Sequence, residues 1–154
     1  MSATVDPRGQ RFAAALTALV LVVALVVAPS TVTIALLAFQ AAVFAVGAFV
    51  GPARTPYAWV FRILVRPRLG PPAETEDARP PRFAQGVGLA FAVVAFVGYA
   101  LDVTLLGAVA AGMALAAAFL NATVGFCLGC EMYLLIKRIT TNTGTSLVAE
   151  RTTT

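Results

Sequence analysis

Long apolar stretches alternate with short polar ones along this chain, and the apolar stretches come in pairs. The first runs from Phe12 to Ala28 and stops at Pro29-Ser30; the second runs from Thr31 to Gly51 and stops at Pro52. The third runs from Phe83 to Leu101 and stops at Asp102; the fourth runs from Val103 to about Leu120. Each has 17 to 21 residues, which at a helical rise of about 1.5 Å spans roughly one hydrocarbon core. None shows sustained period-two alternation, so a barrel is a poor reading, and a helix satisfies its own backbone in lipid. The pattern predicts an all-α membrane protein with four transmembrane helices in two tandem repeats. Each repeat ends in a short interfacial or re-entrant helix.

Composition agrees. Hydrophobic residues make up 60% of the 154, charged residues 12%, and mean hydropathy is +0.89. A soluble domain of this size could not bury that much apolar surface. The net charge of +4 would in a soluble protein suggest nucleic acid. Here the cations flank apolar segments, so the bilayer and its anionic headgroups are the expected partner, and no nucleic acid is. Arg8 and Arg11 precede the first segment, six arginines lie between the second and third, and Lys137, Arg138 and Arg151 follow the fourth. All eleven cations thus fall on one side. By the positive-inside rule both termini and the central loop are cytoplasmic, in a multi-pass protein of the plasma membrane. The first segment resembles a signal peptide in outline, and the repeat argues against that reading.

Residues 6–13 read Asp-Pro-Arg-Gly-Gln-Arg-Phe-Ala and residues 77–84 read Asp-Ala-Arg-Pro-Pro-Arg-Phe-Ala, five of eight identical at an offset of 71. Both octets lead into an apolar helix. The offset pairs the second segment with the fourth, and 56–67 with 127–138. Within a single membrane domain, 1–154, the expected units are repeat one, 6–69, a linker, 70–82, repeat two, 77–138, and a disordered Thr-rich tail, 139–154. The halves would be related by a pseudo-twofold along the membrane normal. In the first short helix, 57–66, Tyr57, Trp59, Arg62 and Arg66 suit a membrane anchor, aromatics at headgroup depth and guanidinium groups in water. Gln40, mid-membrane, should bond a neighbouring helix. Asp102 should cap one.

The candidate chemistry lies in Asn121-Ala-Thr-Val-Gly-Phe-Cys127-Leu-Gly-Cys130-Glu131-Met-Tyr133. Asn121, Thr123 and Gly125 are expected to interrupt the fourth helix, and a short helix, 126–138, would carry Cys127 and Cys130 on one face of its first turn. A helix start stabilises a thiolate, so a C-x-x-C there favours thiol redox or sulfur relay, with Cys127 and Cys130 as the working pair. Glu131 is a candidate proton carrier. Asn121, Gly125, Phe126, Gly129 and Tyr133 are the candidate binding surroundings, Gly129 leaving room for a substrate or a partner's backbone. Two ordinary core cysteines are the bland alternative. A Cys₄ site shared across a homodimer and two-coordinate Cu(I) are weaker ones, since the chain has no His; no metal or cofactor is expected. A structural disulfide is not expected on a cytoplasmic face. A non-catalytic membrane scaffold that docks a partner, or a small permease for sulfur species, also stays open.

Val5-Asp6-Pro7-Arg8-Gly9, Arg11-Phe12-Ala13, Arg82-Phe83-Ala84-Gln85, Phe119-Leu120-Asn121-Ala122 and Gly125-Phe126-Cys127-Leu128-Gly129-Cys130-Glu131 together resemble the domain-of-unknown-function 4395 family, over about residues 5–138. The resemblance implies a bacterial, mainly actinobacterial, membrane protein, with a thioredoxin-like protein or sulfurtransferase as partner. A looser similarity is to the thiosulfate-uptake transporters, whose cysteines relay sulfur species from the starts of half-helices. This chain has cysteines in one half only, so a dimer or a soluble partner would supply the rest.

Overall fold

The computed structural model describes residues 4–70, 72 and 74–151. Four of its helices are long and apolar enough to cross a membrane: Pro7–Val26 (α1), Thr31–Val50 (α2, π-helical from Val46), Arg79–Ala100 (α5) and Thr104–Val124 (α6). Between α2 and α5 lie a 3₁₀ turn, Pro52–Arg54, and a bent surface helix. The bent helix comprises Pro56–Val60 (α3), a π turn Phe61–Val65, and Arg66–Leu69 (α4). The last helix, α7, runs Leu128–Arg151. A two-residue antiparallel ladder joins Thr4–Val5 (β1) to Glu76–Asp77 (β2), with Val5 opposite Glu76. The fold is therefore an all-α membrane bundle.

The four long helices form a ring in which α1 packs on α2 and α6, and α5 packs on α6 and α2. The surface helix α3 leans on α1, and α7 leans on α5. The buried centre is built of Leu21, Ala24, Leu37, Ala95, Tyr99, Ala110, Ala111 and Ala114. Small side chains let these helices approach closely, the means by which helices associate where lipid removes the hydrophobic drive. The outside stays apolar: Val26 and Leu105 are each 77% exposed and Phe49 72%. On a water-soluble domain so many would be a liability; in a bilayer they are the solvated surface.

The two shared octets perform matching work. Asp6 accepts the backbone N–H of Arg8 at 2.9 Å, and Asp77 that of Arg79 at 2.9 Å. Burial alone would raise the Asp6 carboxyl; the hydrogen bonds from Arg8 and the charges of Arg8 and Arg66 outweigh it and hold Asp6 below its ordinary value. Arg11 of α1 donates to the Ala122 and Thr123 carbonyls at 3.4 and 2.8 Å, at the C-terminus of α6. Arg82 of α5 does the same for α2, donating to the Ala48 carbonyl at 2.6 Å and to that of Phe49. Each guanidinium therefore caps the second helix of the other half, where unpaired carbonyls and the helix dipole favour a cation. Phe12 sits 5.7 Å from Phe61, and Phe83 sits 5.8 Å from Tyr133, ring centre to ring centre.

Several expectations require correction. The tail does not lack structure from residue 139: α7 continues to Arg151, and the Thr140 and Thr141 hydroxyls fold back onto the Ile136 and Lys137 carbonyls instead of breaking it. Residues 152–154 lie outside the described set. Asp102 caps no helix with its side chain, since α6 starts at a Val103 cap without a side-chain bond. Asp102 instead adopts a left-handed backbone, φ 57°, that closes α5. Asn121 and Thr123 do not interrupt the fourth helix; Thr123 bonds back to the Phe119 carbonyl at 2.8 Å, and α6 ends only at the left-handed Gly125, φ 73°. Part of the linker, Glu76–Asp77, is held in the ladder.

Tyr57 is no headgroup anchor. It is 7% exposed, and its hydroxyl donates to Gln40 Oε1 at 2.8 Å. Burial pushes the phenol up to about 12, so it remains a donor at any physiological pH. Gln40 bonds a neighbouring helix as expected, its Nε2 donating to Thr17 Oγ1 at 3.3 Å. Thr17, Gln40 and Tyr57 thus tie α1, α2 and α3 by one buried chain. Gln40→Leu should cost about 1–3 kcal/mol, because it strands the phenolic hydroxyl without an acceptor. Adding Tyr57→Phe should recover part of that loss. Unfolding of both variants and of Tyr57→Phe alone, in mixed detergent, checks this; three independent, additive effects would show that the residues are not coupled.

Candidate functional site

The cation-rich end of the bundle gathers the starts of α1 and α5, the ends of α2 and α6, the surface helix and the beginning of α7. The link from α6 to α7 is short. Gly125 turns the chain, Phe126 follows, and Cys127 takes the N-cap position of α7, its carbonyl accepting the Glu131 N–H at 3.0 Å. Cys130 is the third residue of the helix. The two sulfurs are bonded to each other, with Cα atoms 5.2 Å apart. The pair therefore sits at a helix mouth; the helix starts at Leu128 and not near Phe126, so Cys127 precedes the first turn that was expected to hold both cysteines. Its oxidised state was not expected; three-residue spacing on one face of a first turn brings the sulfurs within bonding reach. Both cysteines are partly buried, neither walled off in the core nor fully in solvent.

Arg11 holds this mouth in place from α1. Besides capping α6, its Cδ and Nε lie 3.7 and 3.8 Å from where a Cβ on Gly125 would be. Tyr133 packs on Phe83 and fixes α7 against α5. Gly129 is a correction: a Cβ there would lie 2.6 Å from both Cα and Cβ of Ala84, so the space is filled by α5. The glycine permits a close helix–helix approach; it leaves no room for a substrate on that side. Phe126 is 43% exposed and Glu131 is exposed, with no ion pair for Glu131 among the described residues. Trp59 is 57% exposed, and Arg62 and Arg66 are exposed.

Between the four long helices, the surface helix, β1 and the start of α7 is a cavity of about 610 Å³. Its wall includes Val5, Gln85, Phe91, Met113 and Asn121, and Cys127 forms part of it. Of the sequence-selected residues it brings together Asn121, Cys127 and Gly129; Phe126, Cys130, Glu131 and Tyr133 lie outside its lining. Gln85 was not singled out. Its Oε1 is buried without a partner, and only the repeat of Arg-Phe-Ala just before it hinted at the position. Among the described residues no three His, Cys, Asp or Glu side chains cluster as a metal site.

A family described as a domain of unknown function, DUF4395, matches residues 5–138. The chain belongs to this family. The matched region starts in β1, covers the whole ring and ends in α7, beyond the cysteine pair. No curated protein and no solved structure matches the chain.

Proposed function

We propose that this DUF4395 protein is a membrane thiol–disulfide relay, with Cys127 and Cys130 exchanging electrons or sulfur with a soluble thioredoxin-like or sulfurtransferase partner. The observation that carries this reading is a bonded cysteine pair at the mouth of a helix, partly exposed, with Cys127 on the wall of a cavity. In the redox form, a partner thiolate attacks one sulfur of the disulfide. A mixed disulfide forms and the other sulfur leaves as a thiolate, stabilised by the N-terminal N–H groups of α7. The partner's second thiol then attacks the mixed disulfide. The partner leaves oxidised, and the pair holds two electrons and two protons. The pair and both termini face the cytoplasm, since the cations gather at this end. The halves are read as tandem repeats, supported by the paired work of Asp6 with Asp77, Arg11 with Arg82, and Phe12 with Phe83.

Maleimide counting on inverted vesicles tests the reading. No thiol should react before reduction, and two should react after treatment with purified thioredoxin. A thioredoxin that lacks its resolving cysteine should be trapped as a mixed disulfide on the wild-type pair, and on neither Cys130→Ser nor Cys127→Ser, which have no disulfide to open. A pair that thioredoxin cannot reduce in intact vesicles, with both serine variants functioning as wild type, ends the relay reading and leaves a scaffold.

A further inference from the structure

The cavity beside Cys127 has a volume in the range of small-ligand sites, about 610 Å³. Its lining says what kind of ligand fits. The cations on its wall are Arg62 and Arg66, both on the exposed surface helix, and its one acid, Asp6, is paired with Arg8 at 3.2 Å. The rest of the wall is largely apolar and includes Phe44, Phe91, Ala114 and Ala117. An anion there would lose its hydration with no charge to replace it. A neutral, largely apolar ligand would not.

Its uncharged polar groups are five hydroxyls, of which those of Thr17, Thr55 and Tyr57 are engaged in hydrogen bonds within the chain, and three amides. Gln10, Gln85 and Asn121 line it, and among the described residues their side chains make no hydrogen bond within the chain. Each carries an NH₂ able to donate to a carbonyl. Phe44, Phe61 and Phe91 offer ring faces and edges for a flat ligand. Met113, Met132 and Leu128, also on the wall, remain 56%, 48% and 42% exposed, an apolar approach rather than a sealed one. Flat ring, carbonyl acceptors, no charge and an apolar tail describe a quinone.

We propose that this cavity binds a membrane-soluble quinone, which takes electrons from the reduced Cys127–Cys130 pair. This rests on the relay reading above and names its electron acceptor. The balance is complete: two S–H bonds break, one S–S bond forms, and two electrons and two protons pass to the quinone oxygens, giving a quinol. Cys127, on the cavity wall, is the sulfur that meets the ring. Cys130 closes the disulfide. Gln85 and Asn121 hold the carbonyls.

The test uses the full chain in lipid nanodiscs, its disulfide reduced, reductant removed and oxygen excluded. A short-tailed benzoquinone or naphthoquinone is added, and quinone absorbance and maleimide-reactive thiols are followed together. One quinol should appear for each disulfide formed. Ala117→Phe, which fills the cavity, and Gln85→Leu, which removes a donor, should each slow quinol formation at least about tenfold, the loss expected from one buried hydrogen bond or a blocked site. Thioredoxin should still reduce the disulfide in both. If Ala117→Phe does not fold, Gln85→Leu carries the test. Equal rates in wild type and variants would mean that quinone reacts outside the cavity, and the proposal falls. Thioredoxin turnover without any quinol would sink the quinone and leave the relay standing. A pair inert to thioredoxin and quinone alike would sink both.

Discussion

Gly98→Ala should destabilise the bundle by about 1–3 kcal/mol or more, although it adds a single methyl group in a helix. A Cβ at Gly98 would lie 2.5 Å from the backbone nitrogen and 2.8 Å from the Cα of Gly107. Those atoms belong to α6 and cannot swing aside as a side chain would. Helices α5 and α6 would have to separate, opening contacts around Tyr99, Ala110 and Ala111 at the buried centre. Gly112→Ala is the matched control, because a Cβ there meets nothing within 4 Å. It should be neutral or stabilising by about 0.5–1 kcal/mol, since alanine is the better helix former. Denaturation in mixed detergent reads both. Equal effects of the two substitutions would mean that α5 and α6 do not touch backbone to backbone.

Gly129→Val should act on function more than on the fold. The new Cβ would collide with Ala84 at 2.6 Å, and the first turn of α7 must move off α5. The ring of four long helices does not depend on that turn, so unfolding should change little. The cysteine pair does depend on it. Reduction of the disulfide by thioredoxin should slow roughly 10- to 100-fold, in line with the cost of about 1 Å of misplacement at a reacting centre. Ala84→Gly in the same chain should restore part of the rate, because it removes one of the two colliding atoms. A Gly129→Val protein that exchanges at the wild-type rate would show that the α5–α7 contact does not position the pair.

These contacts mark the boundary of what the sequence revealed. The four spans, the clustering of cations at one end and the repeated octet follow from residue type and order, because hydrophobic length and charge act locally along the chain. The cysteine pair was equally visible, since its spacing alone places both sulfurs on one helical face. Tyr57 misled, because an aromatic next to arginines reads as an anchor; its burial depends on Gln40, 17 residues earlier on another helix. Gly129 misled for the same kind of reason. A glycine beside a cysteine looks like open space until Ala84, 45 residues away, is found in it.

From its sequence alone, this protein is an apolar helical bundle with one polarised end and one closely spaced cysteine pair. Tertiary structure decided which second helix each arginine caps, how α5 and α6 come within backbone contact, and that Cys127 borders an internal cavity with unpartnered amides. The division is physical. Hydropathy and spacing are sums over neighbours in the chain, whereas a cap, a close approach or a cavity exists only between segments brought together by the fold.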